Sequence, residues 1–380
     1  MRVRDTAEEA RFREEARDWL ESNVPREPRP PHDLAAQRDF DVAWRRRQFD
    51  GGWGHIAWPV EHGGRGLPLA QQMIWMEECA RAGAPDHIDM FFVALQHAGP
   101  TLIACADAAQ QAAYLRPILT GETIWCQGFS EPGAGSDLAA LRTRGEVDGD
   151  HLVINGQKIW TSFGRFARFQ ELLVRTEPGS TRHRGISFVI CDMTLPGIDI
   201  RPIRNLAGGD DFCEVFYDNV RVPLDQVVGG LGNGWQVAMS TLAFERGAAS
   251  IPGVLEVNRA VEQLIDEARA RGAGHLLDAL ARARADAMTL RAMVHRVVAR
   301  NRGGSEGSMV RLRLSELAQR VSGLAMDLLG AEALDRSAMA GWPRRHLIDL
   351  KHTIAGGTSE IQRNILGERV FGLPREGKRT

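Results

Sequence analysis

The feature that most restricts the fold is an abrupt change of hydrophobic period. Apolar residues recur at helical spacing to about residue 120, a β-rich block follows to about 228, and helical spacing returns from Asn233 almost to the end. Periods of 3.6 and 2 bury different faces, so the blocks predict an α+β chain with a central β-domain between helical ones. In the first block, "TAEEARFREEARDWLESN" sets Phe12, Ala16, Trp19 and Leu20 at helical spacing, and Thr6 with Glu9 forms a capping-box signature before them. "PREPRPPHD", 25–33, is a proline-rich connection, after which "LAQQMIWMEECARAG" and "TLIACADAAQQAAYLRPIL" resume the helical pattern. The β block opens with "RTRGEVDGDHLVINGQKIW", which holds two hairpin turn signals, Asp148-Gly149 and Asn155-Gly156. "FQELLVRT", "GISFVICDM", "IDIRPI" and "CEVFYDNVRVP" follow at short intervals, as in a compact antiparallel β-domain. "RNRGGSEGS", 301–308, reads as a helix–helix connection. The expected domains are therefore 1–120 helical, 121–228 β and 229–380 helical.

Composition excludes several classes. The net charge of −2, from 47 basic and 49 acidic side chains, gives no pull toward nucleic acid or an anionic membrane. No basic stripe interleaved with aromatics suggests a nucleic-acid surface. The five cysteines are scattered, odd in number and without a C-x-x-C pair, which argues for a reducing compartment and no disulfide framework. The first twenty residues carry too many charges for a signal peptide, and no run of about 18 apolar residues occurs. A soluble cytoplasmic protein is expected. The eleven histidines are dispersed, and His346 and His352 stand six apart, off one helical face, so no metal site is expected. No G-x-S-x-G elbow occurs.

Two stretches could carry chemistry. In "WCQGFSEPGAGSDL", 125–138, the small residues Gly133, Gly135 and Ser136 allow backbone N–H groups to surround an anion such as a pyrophosphate. The plainer reading is an ordinary turn entering the β-domain. It lacks both a third dinucleotide-fingerprint glycine and the Gly-Lys of a P-loop. In "NGQKIWTS", 155–162, Trp160 lies on an expected strand two residues before Ser162. An aromatic face with a nearby hydroxyl suits a flat heteroaromatic ring; a core tryptophan is the plainer alternative.

Taken in order, "EPGAGSD", then "NGQKIW" 18 residues later, "EVFYDNVRVP", "GNGW", "FERG" and "GGTSEIQR" resemble the acyl-CoA dehydrogenase family, from about residue 52 to 376. The resemblance implies an N-terminal helical domain, a middle antiparallel β-barrel and a C-terminal four-helix bundle. It also implies FAD, an acyl-CoA thioester and a homotetramer or homodimer, with electron-transferring flavoprotein as the usual acceptor. By motif position, Gln127, Phe129, Ser130, Gly135 and Ser136 would line the flavin, and Trp160 and Ser162 would lie beside its ring system. Thr358 and Glu360 would meet its nucleotide portion from a neighbouring protomer, and Ser136 would also reach the substrate's pantetheine.

The family reaction needs a carboxylate at the substrate α-carbon and a donor at the thioester carbonyl. Many members place that glutamate just before the loop's "GT", where this chain has Gly356. A subset resembling isovaleryl- and long-chain-type members keeps it on the first long helix after the β-domain, before an arginine. In "GWQVAMSTLAFERGAAS", 234–250, Trp235, Met239, Leu242, Glu245 and Ala249 are spaced 4, 3, 3 and 4 apart, putting Glu245 on the helix's apolar face. Apolar neighbours would raise its pKa toward that of a working base. Glu245 is thus the expected base, with a structural ion pair as the competing role. Gly356 would donate its backbone N–H to the thioester oxygen, and Arg246 would orient Glu245's surroundings or contact substrate.

The pattern departs from the family where an Arg-x-x-Phe-Gly segment and a later Gln usually grip the flavin of an adjacent protomer. "ARARGAGHLLDALARARADAMTL", 268–290, has neither Phe nor Gln, leaving Arg282 or Arg284 as substitutes or as a solvated face. A second glycine-rich element is reduced to "LLGAEAL", 328–334. This leaves open a heteromeric enzyme, or a flavin-poor partner subunit. A flavin oxidase or monooxygenase on the same fold is the other alternative.

Overall fold

The computed structural model describes residues 5–31, 33–85, 89–245, 250–300, 307–335 and 341–374, without the side chains of Glu245 and residues 298–300. The chain divides into two units, one of Met1–Ser22, Pro68–Ala84 and Glu245–Thr380, the other of Asn23–Leu67 and Pro85–Phe244. In chain order the elements are α1 (Ala7–Asn23), α2 (Leu34–Asp50), α3 (Leu69–Ala82), α4 (Gly99–Cys105) and α5 (Ala108–Thr120). Then come β1 (Trp125–Gly128), β2 (Arg144–Asp148), β3 (His151–Ser162), β4 (Phe169–Arg175), β5 (Ile186–Asp192), β6 (Ile198–Ile203), β7 (Phe212–Pro223) and β8 (Val227–Val228). The chain ends in α6 (Gly234–Glu245), α7 (Ile251–Ala270), α8 (Leu277–Arg300), α9 (Gly307–Leu329), α10 (Gly341–Asp349) and α11 (Ser359–Ile365). No helix among the described residues is long and apolar enough to cross a membrane.

The first unit is helical. The expected capping box forms: Thr6 N–H donates to Glu9 Oε2 at 2.7 Å and Glu9 N–H to Thr6 Oγ1 at 3.2 Å. The face read from the sequence is the one buried, through Phe12, Ala16 and Leu20. α7, α8 and α9 share a core of Val254, Val261, Leu264, Leu280, Leu290 and Val321, which α3 joins through Met73. Burial of each such Val or Leu is worth about 1.5–3 kcal/mol, so packing, more than helix propensity, holds these helices. α8 ends at Arg300 and α9 begins at Gly307; the expected connection at 301–306 lies outside the described residues.

The second unit is built on a sheet in the order β6-β7-β3-β2-β4-β5-β8, with β1 added beside β4. The expected antiparallel barrel is corrected here. β1 runs parallel to β4, β2 also meets β4 in parallel, and the path ends at β6 and β8 without closing. Alternation in a short strand reveals its buried face but not the direction of its neighbour, so the sequence could not supply this. β6 carries Pro202, which suits an edge.

One turn signal holds and one does not. Asp148 pairs with His151 around Gly149, whose φ is 61°. Asn155-Gly156, by contrast, lies inside β3 at a register shift against β7. A Cβ on Gly156 would stand 2.6 Å from Thr143 Oγ1, so the glycine serves a close approach within the sheet and not a hairpin.

Candidate active site

The loop from Phe129 to Thr143 leaves β1 and is fastened to β3 by a buried ion pair. Lys158 Nζ donates to Glu131 Oε1 at 2.8 Å and to the Phe129 carbonyl at 3.2 Å. Glu131 also accepts from the backbone N–H of Arg142 at 2.7 Å and of Thr143 at 2.8 Å. Burial pulls the Lys158 ammonium down to about 8. Burial pushes the Glu131 carboxyl up, but Lys158 and the other donors outweigh it and hold it below its ordinary value. Ile159 N–H donates to the Ser130 carbonyl at 3.0 Å, closing the attachment. Removing either ionic partner would leave a buried charge uncompensated.

With its ends fixed, the loop exposes its middle. Gly133, Gly135 and Ser136 are exposed, and a Cβ built on Gly133 or Gly135 meets nothing within 4 Å. Internal packing therefore does not require these glycines, and their backbone stands open to an approaching group. A pocket of about 370 Å³ lies between loop and sheet, lined by Glu131, Gly133, Arg142, Thr143 and Gln157.

Trp160 is the most distinctive member of the site. It sits where the β3–β7 register slips between Lys158 and Thr161, with φ at 63°, and 58% of it is exposed. Its ring meets Phe212 edge-on, with centroids 6.2 Å apart. Left-handed backbone at a bulky residue is strained, and Phe163 repeats it at φ 53°. The bulge turns the indole out of the alternation while Thr161 stays buried and Ser162 half-buried. Gln127 and Ser130 are half-buried on the same sheet and its exit loop. Phe129 is only 4% exposed and packs against Phe188, so its ring serves the core.

The remaining expected residues lie in the helical unit. Gly356 and Gly357 have φ of 65° and 94°, values that favour glycine. Gln362 Nε2 donates to the Gly356 carbonyl at 3.0 Å and to that of Gly357 at 3.4 Å. From α9, Gln319 donates to Leu350 O and Thr353 Oγ1, and Arg311 donates to His352 O and Ala355 O. Thr358 caps α11, its Oγ1 accepting from Ile361 N–H at 3.2 Å. Glu360 is exposed and pairs with Arg363 at 3.7 Å. Glu245 ends α6 with its side chain outside the described residues, and Arg246 lies wholly outside them. The helix's deepest stripe is Val237, Ala238 and Thr241; Trp235, Met239 and Leu242, the face read from the sequence, form its half-buried flank. Thr241 shares a 2.8 Å hydroxyl contact with Thr101 of α4. Arg282 and Arg284 are both exposed and engaged, with Asp278 at 2.6 Å and Glu262 at 2.7 Å.

The sequence reading passed over Lys158, Glu131, Glu171 and His97. Glu171 had a signal: a charged residue inside the apolar run "FQELLVRT". It is wholly buried on β4, opposite Gln127 in the ladder.

Comparison with known proteins adds to this geometry. Residues 6–122, 126–220 and 232–371 match, in turn, the families described as Acyl-CoA dehydrogenase, N-terminal domain, middle domain and C-terminal domain. Acyl-CoA dehydrogenase IpdE1 of Mycobacterium tuberculosis (strain ATCC 25618 / H37Rv) is 40% identical over 385 aligned positions, covering 97% of this chain and 98% of that protein. Among solved structures, the Tcur3481-Tcur3483 steroid ACAD is similar at a TM-score of 0.87 and 29% identity, covering 99% of this chain and 100% of that one. The ChsE4-ChsE5 complex from Mycobacterium tuberculosis is similar at 0.80 and 30%, covering 99% and 100%.

Proposed function

The chain belongs to the acyl-CoA dehydrogenase family, whose members are FAD-dependent oxidoreductases, and from that premise we propose that it converts an acyl-CoA thioester to the 2,3-enoyl-CoA. The observation that carries this reading is Trp160: a large ring held outward by strained backbone, beside a pinned loop whose exposed glycines have room before them. Such an arrangement suits a flat ring followed by a pyrophosphate. Trp160 and Ser162 would sit beside the isoalloxazine, Gln127, Ser130, Gly135 and Ser136 would line it with Phe129 contributing only backbone, and Thr358 and Glu360 would meet the nucleotide end. FAD, when bound, supplies the acceptor for the hydride of the substrate's β-carbon.

The chain's own residues do the rest. Glu245, at the end of α6, takes the α-proton. Gly356 donates its N–H to the thioester carbonyl and stabilises the developing enolate charge. A side chain at position 356 would face the cost of left-handed backbone, which supports placing the carboxylate elsewhere. Ser136 holds the pantetheine, and Arg246 the substrate side of the base. Electrons leave to electron-transferring flavoprotein. The likeness to a steroid ACAD supports a bulky, polycyclic acyl group, and the paired chains named in both structural relatives support a heteromeric assembly.

Anaerobic titration with short, branched, long and polycyclic acyl-CoAs tests the reading. Bleaching of the oxidised flavin bands by one class, most strongly the polycyclic, is expected. No bleaching with any acyl-CoA overturns it. Rapid oxygen consumption on reduction would point instead to an oxidase.

A further inference from the structure

Behind β1 lies a buried polar group that the proposed chemistry does not use. Glu171 is fully buried, and its Oε1 accepts from Gln127 Nε2 at 2.7 Å. His97 Nδ1 stands 3.3 Å from the same Nε2 and 3.5 Å from Glu171 Oε1. Gln127 and Glu171 are ladder partners in the parallel β1–β4 pair, so their side chains share one face. His97, 5% exposed, belongs to a single π-turn, Ala94–Ala98, that leads into α4, and its ring meets Phe92 edge-on at 5.1 Å. Single π-turns inside helices are frequent at functional sites. A carboxyl group buried this deeply is costly unless hydrogen-bonded, and the Gln127 amide supplies that bond.

The chemistry of the three groups fixes the amide. The Gln127 NH2 faces Glu171 Oε1, a carboxyl oxygen that accepts, and lies beside His97 Nδ1. One N–H goes to Glu171 and the second is within reach of His97 Nδ1. The other end of the amide, the carbonyl oxygen, is acceptor only.

We propose that Glu171 and His97 are positioning residues that hold the Gln127 amide with its NH2 inward, so that Gln127 offers the bound flavin an acceptor and takes the ring N3–H. N3–H is the one N–H donor of the oxidised isoalloxazine. The proposal rests on the reading that Gln127 lines the flavin. A free glutamine could turn either end outward; a held one discriminates between flavins that carry this donor and flavins that lack it.

The test is a binding measurement on the full chain stripped of flavin and titrated with FAD or with N3-methyl-FAD. Wild type should bind the methylated form about 3–10-fold more weakly, the loss of one neutral hydrogen bond. In Gln127→Leu and in Glu171→Met the two dissociation constants should fall within about twofold of each other. A merely structural role for Glu171 would weaken both forms equally and leave the ratio unchanged, which overturns the proposal. So does a wild-type ratio near one, or an unchanged ratio in Gln127→Leu. If Glu171→Met does not fold, Glu171→Gln decides: a pair of amides is satisfied in either orientation, so the ratio should drop below wild type, and an unchanged ratio is again fatal. A wild-type chain that binds neither form is a different failure, that of the flavin-site reading itself.

Discussion

At Trp160 the chain holds a bulky residue at φ 63° and leaves 58% of it in solvent, an arrangement that folding alone does not reward. Trp160→Gly should therefore separate two quantities that usually move together. In the flavin-free protein, relief of about 1–3 kcal/mol of strain should roughly offset the lost contact with Phe212 and the added freedom of the unfolded chain, leaving the denaturant midpoint nearly unchanged. FAD affinity should fall, read by titration. A fall in both would make the indole a core residue and remove the main support for a flavin at this place. Glu245→Gln should leave the protein yellow with its flavin spectrum intact while turnover drops by roughly 10²–10⁴. Near-wild-type turnover would move the base elsewhere. Trp160, Gly133 and Gly135 stood out in the sequence as candidates because an aromatic beside a hydroxyl and small loop residues suit a flat ring and an anion. Lys158 and Glu131 stood in the same motifs and went unread, since a sequence does not show that a strand charge and a loop charge are buried against each other.

At the scale of elements, α1 and α3 are tied by one carboxylate. Glu78, 2% exposed, takes hydrogen bonds from Arg13 and Arg17 of α1 and from Arg81 of α3. Burial alone would push its carboxyl up; the three guanidinium groups prevail and hold it at about 2, below the ordinary 4.5. Between those values the unfolded chain binds more protons than the folded one, so stability falls as pH falls. Wild type should lose this contribution progressively from about pH 4.5 down to about 2. Glu78→Gln should be less stable near neutrality by about 2 kcal/mol and show a shallower loss over the same range, measured by thermal melts at each pH. Part of the slope should survive, because the Arg13 hydrogen bond also holds Asp5 below its usual value. Equal slopes in both proteins would mean that Glu78 does not set the acid limit. The capping box and buried face of α1 were read correctly from Thr6, Glu9, Phe12, Ala16 and Leu20, all local signals. Strand direction was not local: the parallel run of β1 beside β4 depends on a path through the β2–β3 hairpin that no short window contains.

For the whole molecule, hydrophobic period delivered the succession of helical, β and helical blocks, but not the sorting of helices. α1 and α3 belong to the unit of the C-terminal helices, whereas α2, α4 and α5 belong with the sheet, although all five are consecutive and share one period. The proposed flavin contacts are divided in the same way, with Trp160 in one unit and Thr358 and Glu360 in the other. If the nucleotide end is met by a neighbouring protomer, two defective chains can repair each other. A dimer of Trp160→Ala with a Thr358→Ala/Glu360→Ala chain contains one site with both defects and one with neither. Random exchange makes about half the dimers mixed, so about one site in four should recover flavin. Each variant alone should bind almost none. Exchange verified by mass, with no recovered flavin, would mean that the sheet and the loop serve the same FAD from one chain. Recovery only with a different homologous subunit would mean that this chain's sites are completed by a partner of another sequence.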